Sequence, residues 1–153
     1  MTDSAPHRPA TDTFLPERTG WVARQLARID ETGDTASVAV QGREVVVVTM
    51  RGARSGQLRR VPVMRVEHEG TYAAVASKGG AERDPVWVHN LRADGEVLVQ
   101  DGTDQVVRRA RLLQDGPERD AWWRRAVDAF PPYADYQERC ERLIPVFLLE
   151  PTG

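Results

Sequence analysis

The stretch VVVVTMRGARSGQLRRVP, residues 45–62, joins a buried strand to a dense group of positive charges. Its four consecutive β-branched valines form a run too short for a membrane-spanning helix, so they predict a core strand covered on both faces. No acidic residue occurs between Glu44 and Glu67. Within that interval lie Arg51, Arg54, Arg59 and Arg60. The stretch therefore predicts a core strand that ends in a strongly basic segment.

The turn after this strand carries Gly52, Ser55 and Gly56, and a second strand is predicted over residues 60–66. Glycines let backbone N–H groups converge on a ligand, and guanidinium groups bind phosphate or carboxylate in a fork geometry. These features predict an anion-binding hairpin. A solvated, arginine-rich hairpin tip explains the same residues, and residue types alone do not choose between the two.

Length and composition indicate one domain, because 153 residues with 41% hydrophobic and 29% charged side chains can form a sizeable core. The net charge of -2 argues against a general nucleic-acid binder, and no apolar run is long enough to cross a bilayer. The first residues lack the apolar core of a secretory signal, and a single cysteine, Cys140, excludes an internal disulfide. The expected location is the reducing cytoplasm.

Residues 1–17 contain three prolines among polar residues and predict a flexible tail, so the folded domain is expected over residues 18–153. Apolar residues then recur at helical spacing between Thr19 and Thr32, and Gly33 ends the pattern. This predicts an amphipathic helix packed on the sheet. Arginines along the helix leave open a peripheral contact with the inner face of the cell membrane.

Turn and cap residues divide the rest of the chain into further elements. These are a hairpin of strands 60–66 and 71–77, a helix from Asp84-Pro85 to Leu91, a hairpin of strands 96–100 and 105–113, a helix from Pro117 to about Phe130, a last helix bearing Tyr133, Tyr136, Gln137, Cys140 and Ile144, and a closing strand 146–150. Together they predict an α+β fold with a mostly antiparallel sheet of six or seven strands.

Two junctions combine glycines with cations, one at residues 51–60 and the other at residues 77–80. A plain strand-to-helix connection also explains the second. His7, His68 and His89 lack the spacing of metal ligands, and the sequence contains no nucleophile elbow or Walker-type loop. A cation-rich site without an evident acid–base pair suits a phosphate-bearing cofactor that performs the chemistry itself.

Several linked motifs occur in order along the chain. They are Gly52-x-x-Ser55-Gly56 with Arg59-Arg60-x-Pro62, Ala76-Ser77-Lys78-Gly79-Gly80, Pro85-x-Trp87-x-x-Asn90-Leu91, Val99-Gln100-Asp101-Gly102, Trp122-Trp123, Tyr133-x-x-Tyr136-Gln137 and Arg142-x-Ile144-Pro145-Val146. From about Trp21 to Pro151 the chain resembles the deazaflavin-dependent nitroreductase family, whose members have a split β-barrel like that of FMN-binding reductases. The resemblance implies an F420H2-dependent reductase, with coenzyme F420 rather than FMN as its cofactor.

The resemblance also assigns cofactor contacts to two groups of residues. The phosphate and acidic tail of F420 are expected at Ala53, Arg54, Ser55, Arg59 and Arg60, and the tail is expected to reach Lys78 as well. The ring system is expected at Val61, Pro62, Val63, Met64, Val75, Ala76, Ser77, Lys78, Val86, Trp87, Val88, His89, Asn90 and Tyr133. Arg54 stands where lysine is usual in the family, which keeps the positive charge but alters its geometry.

The acceptor is expected over the ring, near Met64, Ser77, Phe130, Tyr133 and Tyr136, with Ser77, Tyr133 and Tyr136 as catalytic residues. Nitroimidazole-reducing members have tyrosines at the positions of Met64 and Phe130, so the resemblance favours quinones or other conjugated carbonyl compounds over nitro compounds. From residue types alone, the tyrosine stripe also fits core packing. A barrel that binds a flavin, haem or lipid-like ligand without turnover is the alternative function, and homodimer formation stays open.

Overall fold

The computed structural model describes residues 20–152, apart from the side chain of Trp21, so the predicted tail at residues 1–17 lies outside the described part. The helices are α1 (Gly20–Thr32), α2 (Trp87–Ala93), α3 (Pro117–Ala129) and α4 (Pro132–Arg139). The strands are β1 (Ala39–Val40), β2 (Arg43–Arg51), β3 (Leu58–Met64), β4 (Glu67–His68), β5 (Thr71–Val75), β6 (Glu96–Asp101), β7 (Asp104–Leu112) and β8 (Val146–Pro151). Short 3-10 turns lie at Thr35–Ser37 and Lys78–Gly80.

The valines of β2 are buried on both faces of the strand, as predicted. Val45 and Val47 pack in a core that includes side chains of α1, α3 and α4, whereas Val46 and Val48 pack in a second core with side chains of α2. This division follows from the two-residue period of a strand. β2 pairs with β3 on one edge and with β6 on the other. The sheet that these strands form separates the two cores.

The described sheet has eight strands in the order β1-β2-β6-β7-β8-β5-β4, with β3 paired to β2 outside this path, and each pairing is antiparallel. The predicted α+β class is confirmed, but β1 and β4 have only two residues each and were too short to predict. The predicted hairpin of strands 60–66 and 71–77 is correct at its turn, Glu69-Gly70, where β4 pairs with β5, but it is shorter than predicted. Residues 58–64 pair with β2 and residues 72–75 with β8, because the backbone N–H and C=O groups of a buried strand need partners along both edges.

The boundaries of two predicted helices differ from those observed. Asp84 does not cap α2, which begins at Trp87 without a side-chain cap; its carboxylate accepts a hydrogen bond from Arg142 instead. α4 ends at Arg139 because Cys140 is extended (φ −120°, ψ 152°), so Cys140 and Ile144 follow the helix and do not prolong its stripe. Within residues 20–152, no helix is long and apolar enough to cross a membrane.

A side-chain network ties the end of β3 to β5 and β6. Arg65 donates from Nε and Nη2 to the two carboxylate oxygens of Asp101 (2.9 and 3.0 Å), and the Tyr72 hydroxyl donates to Asp101 Oδ2 (2.7 Å). Burial acts to raise the pKa of Asp101, but the hydrogen bonds from Arg65 and Tyr72 and the charge of Arg65 outweigh it and lower the pKa below its ordinary value. The network therefore stabilises the fold only while Asp101 is ionised.

We expect Asp101→Asn to lower the free energy of unfolding by about 1.5 to 3 kcal/mol near neutral pH, because Arg65 loses a charged partner. Since the folded pKa of Asp101 is depressed, its contribution is present above the unfolded pKa and is lost as pH falls. Denaturant unfolding between about pH 7 and pH 2 should show a shallower acid loss in the variant than in the wild type. Parallel curves for the two proteins would contradict this role, and Tyr72→Phe should give a smaller loss.

Candidate active site

A cavity of about 730 Å³ opens between β3, the segment after β5, α2 and α4. It is lined by Val22, Gln25, Val40, Gln41, Val45, Met50, Arg59, Arg60, Val61, Pro62, Val63, Met64, Val75, Ser77, Lys78, Gly79, Pro85, Val86, Trp87, Asn90, Phe130, Tyr133 and Tyr136. Its volume lies within the range of cofactor and small-molecule sites. The lining contains cationic and apolar residues and no carboxylate among the residues described.

The positive charges of the lining come from β3 and from the segment after β5. Arg60 forms a two-bond ion pair with Asp30 of α1 (Nη1–Oδ1 2.6 Å, Nη2–Oδ2 2.9 Å). Neither Arg59 nor Lys78 forms an ion pair with a carboxylate of the described chain. Arg59 and Lys78 are thus the lining cations that an anionic ligand can reach without breaking a salt bridge.

The segment Ser77–Gly80 has an unusual backbone. Lys78, Gly79 and Gly80 have φ of 47°, 65° and 83°, so three successive residues lie in the left-handed region. For a lysine this conformation is unfavourable and persists only when the surroundings enforce it. Ser77, only 8% exposed, precedes this turn without using its hydroxyl as a helix cap. The turn places Ser77 and Lys78 in the lining of the same cavity.

Three aromatic rings form another wall, those of Phe130, which follows α3, and of Tyr133 and Tyr136 in α4. The centroid of Tyr133 lies 5.1 Å from that of Phe130 and 6.3 Å from that of Tyr136, each in an edge-to-face arrangement. Tyr133 is 3% exposed, yet its hydroxyl donates no hydrogen bond to the chain between residues 20 and 152. Burial, with a smaller contribution from Tyr136, raises the pKa of the Tyr133 phenol above its ordinary value. Tyr133 therefore stays a neutral phenol, and it lines the cavity.

The glycine turn after β2 is closed by its own hydrogen bonds. Gly56 N donates to Gly52 O (3.0 Å), and Gly52 has no room for a side chain because a Cβ there would lie 2.8 Å from Ser55 Oγ. Ala53 N donates to Asn90 Oδ1 (2.9 Å). Asn90, buried on α2, thus holds the turn against the cavity wall. The amides of Ala53 and Gly56 are thus occupied within the protein.

The structure brings most of the predicted site residues together. The cavity lining contains the predicted residues Arg59, Arg60, Val61, Pro62, Val63, Met64, Val75, Ser77, Lys78, Val86, Trp87, Asn90, Phe130, Tyr133 and Tyr136. Six predicted cofactor contacts are not in the lining. Ala53, Arg54 and Ser55 are exposed on the glycine turn, Ala76 and Val88 belong to the second core, and His89 is exposed on α2.

Sequence reasoning did not assign to the site the lining residues from α1 and from the β1–β2 turn. They are Val22, Gln25, Val40 and Gln41. Gln25 Oε1 is buried and has no hydrogen-bond partner among residues 20–152. A buried amide oxygen in that state is costly, so a donor on a bound ligand would satisfy it. The helical spacing of α1 indicated only packing, and no motif of the sequence pointed to a polar contact at Gln25.

The residues of the cavity fit a phosphate-bearing deazaflavin. The apolar side chains of Val61, Val63 and Trp87 can enclose a planar ring, and Arg59 and Lys78 supply positive charge for an anionic tail. A ligand can form hydrogen bonds with Gln25 Oε1 and with the Ser77 hydroxyl, which makes no helix-capping hydrogen bond.

Comparisons with known proteins agree with this fit. The family model described as F420H(2)-dependent quinone reductase matches residues 21–151. An F420H(2)-dependent quinone reductase of Mycobacterium tuberculosis is 33% identical over 100 residues, which cover 64% of this chain and 67% of that protein.

Solved structures extend the comparison to the fold. A structure of an F420-H2 dependent reductase (FDR-A) is 52% identical with a TM-score of 0.66, over 69% of this chain and 93% of that one. A structure described as a domain-swapped dimer is 50% identical with a TM-score of 0.69, over 88% of this chain and 100% of that one. HutZ, a haem storage protein of Vibrio cholerae, is only 14% identical, with a TM-score of 0.56 over 83% of this chain and 89% of that one. It shares the fold alone, and the predicted split β-barrel is confirmed.

The chain belongs to the F420H(2)-dependent quinone reductase family.

Proposed function

We propose that the cavity holds reduced F420 and a quinone-type acceptor side by side, and that the protein catalyses hydride transfer between them. The observation that supports this best is the junction of two unlike walls around one cavity, cationic at Arg59 and Lys78 and aromatic at Tyr133. When bound, reduced F420 supplies the hydride. The protein contributes binding, orientation, exclusion of water and a proton donor.

At the cofactor end, Arg59 and Lys78 would bind the phosphate and acidic tail. Arg60 adds positive charge while it stays paired to Asp30. Arg54 and Ser55 lie just outside the cavity on the glycine turn, where they would contact the part of the tail that leaves it. Residues 61–64 of β3 and Trp87 of α2 would enclose the ring system. This assignment gives each end of an amphipathic cofactor surroundings of matching polarity.

At the acceptor end, Phe130, Tyr133 and Tyr136 would form the wall against which the acceptor packs. A quinone that receives a hydride needs a proton on its oxygen, and the Tyr133 hydroxyl would donate one. Ser77 also lines the cavity, and its hydroxyl would orient the acceptor oxygen. With Met64 and Phe130 instead of further hydroxyls, the wall suits conjugated carbonyl compounds better than nitro compounds.

We further assign the protein to the cytoplasm, where a reducing milieu suits its single buried thiol at Cys140. The solved relative described as a domain-swapped dimer supports a homodimer for this chain as well. Sedimentation of the purified chain at several concentrations would measure its oligomeric state, and a monomer throughout would contradict the dimer.

Two experiments test the function. The protein is first titrated with F420; the complex of the protein with F420H2 is then mixed with each quinone of a panel. We expect saturable F420 binding and quinone-dependent oxidation of F420H2. A nitroimidazole should be reduced more slowly than the best quinone. Tight binding without oxidation by any quinone would instead support a barrel that binds its ligand without turnover.

We expect Tyr133→Phe to lower turnover of the best quinone by about a hundredfold, the scale of a lost general acid, and to leave F420 affinity unchanged. The hydroxyl makes no bond within the described chain, so thermal stability should stay close to that of the wild type. Steady-state kinetics, F420 titration and thermal unfolding measure the three quantities. Tyr72→Phe is the matched control, because it removes a structural hydroxyl and should affect stability alone. Wild-type turnover in both Tyr133→Phe and Ser77→Ala would place hydride transfer elsewhere.

We expect Lys78→Gly to separate cofactor binding from stability. Glycine relieves the left-handed strain but makes the unfolded chain more flexible, so the free energy of unfolding should change by less than about 1 kcal/mol. Loss of the ammonium group should weaken F420 binding by about 1.5 to 3 kcal/mol at low salt. High salt should reduce this difference, since exposed charges are screened.

The control for Lys78→Gly is Glu69→Gly. Glu69 has a similar φ of 53° and is not in the cavity lining. Its replacement should shift stability in the same way and leave the F420 dissociation constant at the wild-type value. Equal F420 affinity in Lys78→Gly, Glu69→Gly and the wild type would remove Lys78 from the cofactor site.

A further inference from the structure

Arg142 belongs to a sequence motif to which the proposed mechanism gives no role, yet its guanidinium group makes four hydrogen bonds. Nε donates to Ala81 O (2.8 Å), Nη2 to Ser77 O (2.8 Å), and Nη1 to both Ala76 O (3.1 Å) and Asp84 Oδ1 (2.7 Å). Its side chain is only 15% exposed. One planar cation thus binds the backbone on both sides of the strained turn Ser77–Gly80 and the chain that leads into α2.

These acceptors explain how the strained turn is held. The left-handed backbone at Lys78 has an energetic cost and must be imposed from outside the turn. Inside the turn, Gly80 N donates to Ser77 O (2.9 Å) and Ala81 N donates to Lys78 O (3.2 Å). Arg142 adds an external bond at each end, to Ser77 O and to Ala81 O. It therefore fixes the segment that presents Ser77 and Lys78 to the cavity.

Arg142 is in turn anchored to α4. Gln137 Nε2 donates to Arg142 O (2.8 Å), and Gln137 Oε1 accepts from Ile144 N (3.0 Å). The turn also touches α4 directly, because a Cβ on Gly80 would lie 2.9 Å from Tyr136 O and 3.1 Å from Tyr136 Cα. Two cavity walls distant in sequence, residues 77–80 and residues 133–136, are joined through this contact and through Arg142.

We propose that Arg142 is a positioning residue that holds the Ser77–Lys78 wall and the Tyr133–Tyr136 wall in one geometry, so that cofactor binding and acceptor turnover both depend on it. Arg142 is not in the cavity lining, so it acts through the residues it holds. Lysine cannot replace it fully, because a single ammonium group cannot reach four acceptors in the planar arrangement of a guanidinium group. The proposal rests on the proposed function only for its effect on F420, not for its effect on the turn.

The test compares Arg142→Met and Arg142→Lys with Arg111→Met. Arg111 also makes four side-chain hydrogen bonds, to Glu118 and Glu150, but lies outside the cavity lining. The first measurement is hydrogen–deuterium exchange of residues 77–81 in the ligand-free proteins. Relative to the wild type, exchange should be faster in Arg142→Met, faster by a smaller factor in Arg142→Lys, and unchanged in Arg111→Met. The F420 dissociation constant should rise about tenfold or more for Arg142→Met and stay at the wild-type value for Arg111→Met.

Several results would overturn the proposal. One is an exchange rate in residues 77–81 of Arg142→Lys that equals the wild-type rate. This measurement also tests the proposal if Arg142→Met fails to fold. Another is wild-type F420 affinity in folded Arg142→Met, and a third is equal loss of affinity in Arg111→Met, which would indicate general destabilisation. If the wild type itself binds no F420, the proposed function fails. The exchange comparison still tests whether Arg142 holds residues 77–81.

Discussion

Burial of β2 on both faces is the constraint on which the rest of the structure depends. Burying a valine side chain contributes roughly 1.5 to 3 kcal/mol, so the run Val45–Val48 stabilises the fold only if apolar material covers each face. Helices α1, α3 and α4 supply side chains to one core and α2 to the other. With both faces covered, β3 and β6 pair along the two edges of β2. β3 then forms a wall of the cavity and places Arg59 and Arg60 at it.

The cavity combines a strained cationic wall with a relaxed aromatic one. Lys78 occupies a left-handed conformation that few lysines adopt, and hydrogen bonds from Arg142 hold the backbone on either side of it. Phe130 and Tyr133 pack edge to face, an arrangement that aromatic rings favour without strain. This difference would suit the roles proposed for the two walls, since a charge must be held at a fixed point whereas an apolar acceptor needs only a surface of suitable shape.

Two tyrosines show how surroundings change the hydrogen bonding of one residue type. The Tyr72 hydroxyl donates to Asp101, and burial together with that bond raises its pKa to about 12. Tyr133 is also kept neutral, chiefly by burial, but its hydroxyl donates to no residue between 20 and 152. A phenol whose proton is engaged in an internal bond stabilises the sheet, whereas a phenol without such a bond can give its proton to a ligand. Residue type alone did not distinguish these two hydrogen-bonding states.

The sequence by itself determined the features that are written in adjacent residues. The valine strand, the β6–β7 hairpin turned at Gly102, helix α3 and the closing strand β8 follow from periodicity and turn chemistry, and the linked motifs predicted the family and its cofactor. Most residues of the candidate site were predicted because they sit within those motifs.

Tertiary structure decided the features that depend on residues far apart in the chain. It paired β5 with β8, turned Asp84 from a helix cap into a partner of Arg142, placed Gln25 in the cavity lining and left Arg54 outside it. Local patterns cannot specify such contacts, because which distant group meets a side chain is set by how the whole sheet curls and how its helices pack.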